Sequence, residues 1–466
     1  MTPEDRMSAL IWFRDDLRLT DHNALNAAMA GPNRAPQAVF LVTAESWRAH
    51  GWGPPRVAYV LKTLHALSLE LKTCGIPFHV RDIGSYQKAP QCLSELMREH
   101  QCTELHAGIE YGINEHRRDL AVRKALEPLG CSLTLHHTQT AVPVDRISTA
   151  TGTPYKVYTP FKAAWDKLWT AQSRLTPPPL ERSDSPEPKT SSQSVPDTIA
   201  GFEPWPHVNS WEAGTASGLR RLEEFLDQGV ETYHTDRDRP DLTGTSTLSP
   251  WLAVGSISSG MCLDALISRY GPTFGDWPEG PLTWKNELVW REFYRHVMNA
   301  FPDVSRSRPM KDWTDRVPWR NDPEELASWK EGRTGIEIVD AAMHQLNETG
   351  WMHNRTRMVV AMFLTKNLLV DWRHGERHFS THLVDYDFAS NNGGWQWAAS
   401  TGTDSAPYFR IFNPDTQAQR FDPDGSYRRR WLPQGAALSP EPIVDLKETR
   451  KRAIETFKQA RSAVDS

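Results

Sequence analysis

Glu287, Trp290, Arg291 and Tyr294 fall at i, i+3, i+4 and i+7 of TWKNELVWREFYRHV. A helix there carries a carboxylate, an indole, a guanidinium and a phenol on one stripe. Such a stripe is a poor core face and a good wall for a flat, hydrogen-bonding ligand flanked by phosphate. The plainer alternative is a surface ion-pair stripe with a partly buried Trp. NNGGWQWAASTGTDSAPYFRIFNP (391–414) sets two Asn, two Gly and two Trp within seven residues, with no Leu, Ile or Val before Ile411. Rings beside amides and glycines suit stacking on a planar ligand that the backbone can approach; an aromatic-rich helix-to-loop corner would read similarly. TGTSTLSP (243–250) gathers hydroxyls just before a helix start, where backbone N–H groups can hold a pyrophosphate. Capping loops also look like this, and are commoner. WMHNRTRM places Asn354, Arg355 and Met358 at a helix start, and LVDYDFASNN supplies Asp385 and Asp387. No His/Asp/Glu set has convincing ligand spacing, so no metal site is expected. Of 19 Trp, ten lie beyond Trp277, more than packing needs. Base stacking or a redox relay would use them.

These residues need elements to hold them. Over the first 140 residues, strands ALIWF, QAVFLVT, PFHVRDI, ELHAGIEY and CSLTLHH alternate with helical patterns at 20–30, 56–75, 89–100 and 114–129. That alternation predicts a doubly wound parallel sheet with helices on both faces, binding any ligand outside the carboxyl ends of the strands. No GxGxxG follows the first strand, so the usual dinucleotide fingerprint is absent. TPPPLERSDSPEPKTSSQSVPDT is Pro/Ser-rich and aperiodic, and reads as a solvated linker. Beyond about Gly218 the pattern is helical, including an all-round hydrophobic RTRMVVAMFLTKNLLVDW read as one buried helix. The expected organisation is an α/β domain over 1–140, a long linker over 141–215 and a large all-α domain over 216–466.

Net charge of −5 argues against whole-chain adhesion to nucleic acid, yet Trp284–Arg320 carries eight Lys/Arg against five Asp/Glu, a local basic stretch. Five scattered Cys form no CxxC pair, which fits a reducing cytosol. No apolar h-region and no run of about 18 apolar residues occurs. A cytoplasmic protein without a membrane span is expected.

IWFRDDLRLTDHNAL, KNELVWREFYRH, WMHNRTRM and DYDFASNNGGWQWAASTGTDSAPYFRIFNP, in this order, are highly specific. From Ile11 to about Trp431 the chain resembles the photolyase/cryptochrome family, most closely class I cyclobutane-pyrimidine-dimer DNA photolyases of bacterial folate type. The resemblance implies a helical domain holding FAD, reduced and anionic when active. Its flavin contacts fall on Tyr233, Thr245, Ser246, Thr247, Leu248, Ser249, Trp284, Arg357, Asp385, Tyr386 and Asp387, with Asn391 beside the redox-active ring nitrogen. Glu287, Trp290, Asn354, Arg355, Met358 and Trp397 match the pocket for a flipped dimer, and Arg237 matches a DNA contact. Trp290 and Trp397 would stack the pyrimidines and Glu287 would hydrogen-bond a base edge. Arg237 and Arg291 would neutralise phosphates, with Tyr294 on the same wall. Trp395, Trp372 and Trp319 match an electron relay to the flavin. Asn114 and Glu115 match contacts to a 5,10-methenyltetrahydrofolate antenna, with Arg306 in place of an expected Lys. Thr247 stands where relatives often have Arg, and Tyr386 where Gly is common.

The expected activity is light-driven repair of cyclobutane pyrimidine dimers in single- or double-stranded UV-damaged DNA, a carbon-carbon lyase reaction. The expected protein is a monomer with no obligate protein partner. Two readings stand beside it. A (6-4) photolyase would carry a His pair where this chain has Asn354 and Met358. A cryptochrome photoreceptor usually differs at Asn391 and often adds a long tail, whereas 35 residues follow Trp431 here.

Overall fold

The computed structural model describes residues 8–30, 36–169, 194–433 and 441–463. Five strands, β1 (Ser8–Phe13), β2 (Gln37–Val42), β3 (Phe78–Asp82), β4 (Cys102–Gly108) and β5 (Ser132–His136), form one sheet in the order β3-β2-β1-β4-β5. Every pairing is parallel. The inner strands β1 and β2 are nearly continuous in buried apolar residues because both their faces are covered, whereas the edge strands β3 and β5 carry exposed polar positions. Leu10 and Trp12 point into a core with helices Ala89–Glu99 and Ile113–Leu126, through Leu93, Met97, Val122 and Leu126. On the other face Phe13 meets His22 and Phe78 edge-on. The doubly wound sheet expected from the alternation is present, four strands within one residue of their expected limits and β4 starting two residues earlier and ending three earlier than expected.

The chain forms two compact units, one of Met1–Gly152, Ala163–Leu226 and Thr247–Trp277, the other of Thr153–Lys162, Asp227–Ser246 and Pro278–Ser466. These limits differ from an α/β domain at 1–140, a linker at 141–215 and a helical domain at 216–466. The difference has a packing cause. Within the presumed linker, helix Tyr158–Leu168 buries Phe161 and Trp165 completely. Further on, Lys62 donates to Val208 O (3.2 Å) and Trp211 O (2.7 Å), and Tyr59 OH to Glu212 O (3.0 Å). Most of the Pro/Ser-rich stretch, 170–193, lies outside the described residues.

In the second unit the described elements are helical. Gly350 ends helix Glu337–Thr349 in the left-handed region, φ 68°, where a β-carbon would be strained. The expected single helix over 355–372 is instead helix Asn354–Met362 followed by a π-helical turn, Phe363–Asn367, and Leu369 at φ 50°. The all-round apolar pattern recorded burial, which a helix with a widened turn satisfies as well as a straight one. Among the described residues no helix is long and apolar enough to cross a membrane.

Candidate functional site

Helix Glu279–Ala300 carries the chemical stripe. Leu288, Val289 and Phe293 are buried, whereas Glu287, Trp290, Arg291 and Tyr294 are half-buried and together. Trp284, one turn earlier, is buried at 3% exposure. Gly280 lets this helix start against Val230 and Glu231: a β-carbon there would fall 2.2 Å from Val230 O. That approach brings in helix Tyr233–Asp236, and Arg237 Nη1 donates to Glu287 Oε1 at 2.7 Å. Burial pushes the Glu287 carboxyl up, against the opposing Arg237 guanidinium. Trp290 is stacked on Tyr158, centroids 3.6 Å apart at 6°, and Tyr158 OH donates to Asn286 O at 2.8 Å. Tyr158 lies in the segment taken for linker, so no local signal marked it. It covers one indole face, and the ring stays half-buried.

Helix Phe388–Ala399 crosses this wall closely because Gly393 lacks a β-carbon, which would lie 2.1 Å from Tyr294 Cδ1. Gly394 has nothing within 4 Å of its β-carbon position, so there the backbone itself borders open space. Asp387 caps the helix through Ser390 N–H (2.9 Å) and pairs with Arg295. Burial opposes its charge, but Arg295 and Arg291 hold its carboxyl well below the usual range. Asp385 pairs with Arg357 Nη2 at 2.7 Å, and Arg357 Nε donates to Met352 O. Arg355 pairs with Asp238 at 2.7 Å and lies 4.4 Å over Phe421. Both aspartates thus serve arginines, and among the described residues no His/Cys/Asp/Glu group could hold a metal ion. Asn354 is exposed; Met358 and Trp397 are half-buried; Tyr386 is buried.

Asn391 Nδ2 donates to Glu376 O at 3.1 Å, and Asn392 Nδ2 to Glu376 Oε1 at 2.8 Å. Gln396 Nε2 completes the row on Asn392 Oδ1 at 2.9 Å. Glu376 was invisible in the sequence, where it is one acid among many. Burial pushes its carboxyl up to about 7, only partly offset by Asn392. The folded protein therefore keeps this proton towards pH 7, while the unfolded chain releases it near 4.5. Stability falls as pH rises between those values. Glu376→Gln keeps an oxygen for Asn392 and cannot ionise. Its stability relative to wild type should grow by about 3 kcal/mol between pH 4.5 and 8, as read by urea melts. A difference independent of pH would show that Glu376 is charged in the fold.

Trp395 and Trp372 are buried, at 2% and 1% exposure, and Trp319 is half-buried, edge-to-face with Phe457 at a centroid separation of 5.7 Å. Trp395 also meets Phe379 (5.0 Å) and Trp329 (6.0 Å), and Trp329 was not singled out by its sequence position. Gly375 admits the Trp395 ring, since a β-carbon there would lie 2.1 Å from Cη2.

Of the hydroxyl loop, Thr245 and Ser246 belong to the helical unit and Thr247, Leu248 and Ser249 to the other. Thr247 has φ 54°, and Leu248 precedes helix Ser249–Val254 without a side-chain cap. Gly244 is there for packing: its β-carbon would meet Asp236 Cβ at 2.7 Å.

In the α/β unit the switch point between β1 and β4 is filled. Arg14 donates to Gly108 O (2.7 Å) and to both Asp119 oxygens, and covers Trp12 at 3.8 Å. Arg118 pairs with Glu110 at 2.7 Å. The remaining cavity of about 40 Å³ is too small for a cofactor, since ligand pockets run to roughly 300–1,000 Å³. Asn114 and Glu115 are brought together beside it by His50, at 2.9 and 3.4 Å. Arg306 lies in the other unit, at the surface, facing Asp303 at 3.4 Å.

Comparison with known proteins bears on both units. The family described as DNA photolyase matches residues 9–183, and the FAD binding domain of DNA photolyase matches 284–440. A relative from Escherichia coli (strain K12), named deoxyribodipyrimidine photo-lyase, is 39% identical, covering 97% of this chain and 98% of its own. The chain belongs to the DNA photolyase family. Among solved structures, a class III photolyase from Agrobacterium tumefaciens superposes with TM-score 0.85 at 31% identity, covering 98% of both chains. A cryptochrome from Synechocystis sp. PCC6803 gives 0.82 at 25%, covering 98% of this chain and all of the other. The same fold thus occurs in proteins named photolyase and cryptochrome, and side chains must separate them.

The residues of this photolyase fit a flavin. Asp385 Oδ1 is buried with no hydrogen-bond partner, an acceptor left for a donor that the chain itself does not supply. Asn391 commits its N–H to Glu376, which turns its carbonyl oxygen to other use. Gly394, three residues on from Asn391 in the same helix, has open space at its β-carbon position.

Proposed function

We propose that the protein repairs cyclobutane pyrimidine dimers in DNA with light, and that the wall built on helices Glu279–Ala300 and Phe388–Ala399 is where the dimer is received. Bound in its reduced form, FAD would supply the electron for light-driven opening of the cyclobutane ring. The chain's own residues bind, orient and exclude water. Asp385 and Arg357 would hold the flavin's polar edge, Tyr233, Trp284, Tyr386 and Asp387 would line its site, and the Thr245 and Ser246 hydroxyls would favour phosphate. Asn391 offers a neutral amide, which neither donates an acidic proton nor repels a negative charge.

A dimer lies inside the duplex stack and must be flipped out, at a few kcal/mol, least where damage has weakened pairing. Trp290, backed by Tyr158, and Trp397 accept the pyrimidine rings. Glu287 accepts from a base edge while Arg237 holds it in place, and Asn354, Met358 and Tyr294 complete the cleft. Arg291 and Arg355 favour phosphate. The observation that carries this reading is the stacked Tyr158–Trp290 pair beside the Arg237–Glu287 pair: flat apolar surface and polar edge recognition in one place. Asn391 and the absence of a His pair at Asn354 and Met358 favour dimer repair over photoreception and over (6-4) repair.

Trp290→Ala should weaken binding to dimer-containing DNA by about 1–3 kcal/mol through lost stacking. Binding to undamaged DNA, supplied by phosphate contacts, should stay unchanged. Equal losses for both DNAs, measured by equilibrium titration, would make Trp290 a structural residue.

Asn114 and Glu115, steadied by His50, are the candidate contacts for a folate antenna. The filled switch point supports a position outside the sheet's crevice. The expected working form is a cytoplasmic monomer.

A further inference from the structure

The helical unit holds another pocket, of about 440 Å³, which shares no residue with the flavin and dimer sites. Lys311, Arg461, Ser400, Ser405, Trp313 and Tyr408 line it. Its volume is that of an ordinary small-molecule site.

Two cations, Lys311 and Arg461, line it, and Lys366 lies behind its wall. Lys311 Nζ donates to Ser405 Oγ at 2.5 Å. Lys366, fully buried behind the wall, donates to Ser400 Oγ at 2.8 Å and Ala399 O at 2.9 Å. Arg461 is exposed on helix Leu446–Ser462. Among the described residues none of the three pairs with a carboxylate. Asp404, whose field reaches Lys311, is engaged by Tyr158 N–H at 3.0 Å. Burial pulls the Lys311 ammonium down and Arg461 adds like charge; burial and Lys311 do the same to Lys366. Like charges held together in a concave site, with no carboxylate paired to either, draw an anion.

The rest of the wall is aromatic. Trp313 and Tyr408 meet at 78° with centroids 6.5 Å apart, and Tyr408 lies parallel to Phe457 within 7°. Phe457 belongs to a core with Val317, Leu369 and Ala453, so both rings stand on a packed base. Bare phosphate has no use for such rings; a planar ring bearing phosphate uses both halves of the pocket.

We propose that this pocket is a nucleotide site, with phosphate on Lys311 and Arg461 and the base against Tyr408 and Trp313. The nucleotide can be free or part of a single strand, and one experiment distinguishes the sources. FAD-saturated protein is titrated calorimetrically with AMP, inorganic phosphate and short undamaged oligothymidylate. AMP should bind, and Arg461→Gln and Lys311→Gln should each weaken it about tenfold or more, by loss of a charge-assisted contact. Tyr408→Leu should weaken AMP and leave phosphate alone. Oligothymidylate displacing AMP, with the same sensitivity to Arg461→Gln, assigns the site to a strand; AMP binding without such competition assigns it to a free nucleotide. No AMP binding, or AMP affinity unchanged in Arg461→Gln, overturns the proposal. Equal binding of phosphate and AMP, indifferent to Tyr408→Leu, overturns it in favour of a bare anion site. Arg461 is exposed, so its variant folds whatever the fate of Lys311→Gln.

Discussion

Trp395→Phe is expected to reduce light-driven reduction of oxidised FAD by more than tenfold while leaving dimer repair intact once FAD has been reduced chemically. A benzene ring is much harder to oxidise than an indole, and Trp395 is the buried indole on the helix that also carries Asn391. Phe fits beneath Gly375 and beside Phe379, so the change costs packing of about 1–3 kcal/mol and not the fold. The measurement is the flavin's absorption under blue light with an external reductant, then repair of a dimer-containing oligonucleotide. Trp372→Phe and Trp319→Phe should share the phenotype. Trp329 also touches Trp395, so undiminished photoreduction in Trp395→Phe, with loss in Trp329→Phe, would move the relay to Trp329.

The second large effect belongs to Asp385. Its carboxylate is buried at 1% side-chain exposure, bonded to Arg357 through Oδ2, with Oδ1 unpartnered. Asp385→Asn removes the charge opposite Arg357 and replaces one acceptor oxygen by a donor. Breaking a buried pair on one side costs about 3–5 kcal/mol, because the remaining charge stays desolvated. FAD affinity should fall at least about a hundredfold, and FAD content on purification should fall with it. Urea melts of the FAD-free proteins separate a binding defect from a folding one. Unchanged FAD affinity would mean that Asp385 serves only Arg357.

Much of the architecture was legible because it rests on local rules. Alternating apolar runs and amphipathic stretches set the parallel sheet, since its inner strands β1 and β2, covered on both faces, have almost no polar positions. Pro323 at a helix start and Gly350 at a helix end marked termini that the structure keeps, because ring closure and positive φ are properties of single residues. The stripe Glu287–Trp290–Arg291–Tyr294 was readable because helical spacing alone puts it on one face. The domain limits were not readable. Pro and Ser near 176–198 suggested a tether, while Phe161 and Trp165 nearby found buried partners that only long-range packing supplies.

The same division runs through the site. By itself the sequence determined which residue types stand where: amides, glycines and indoles at 391–397, arginines at 237, 355 and 357, and the paired aspartates at 385 and 387. Tertiary structure decided how they are spent. It set Tyr158 on Trp290 and Arg237 on Glu287, pairs 132 and 50 residues apart in the chain, and placed Glu376 beneath Asn391 and Asn392. It left Asp385 Oδ1 without a partner while giving Asp387 to Arg295. Periodicity fixes the face a residue occupies on its own element. Partnership depends on which elements meet, and the whole chain's burial of apolar surface decides that.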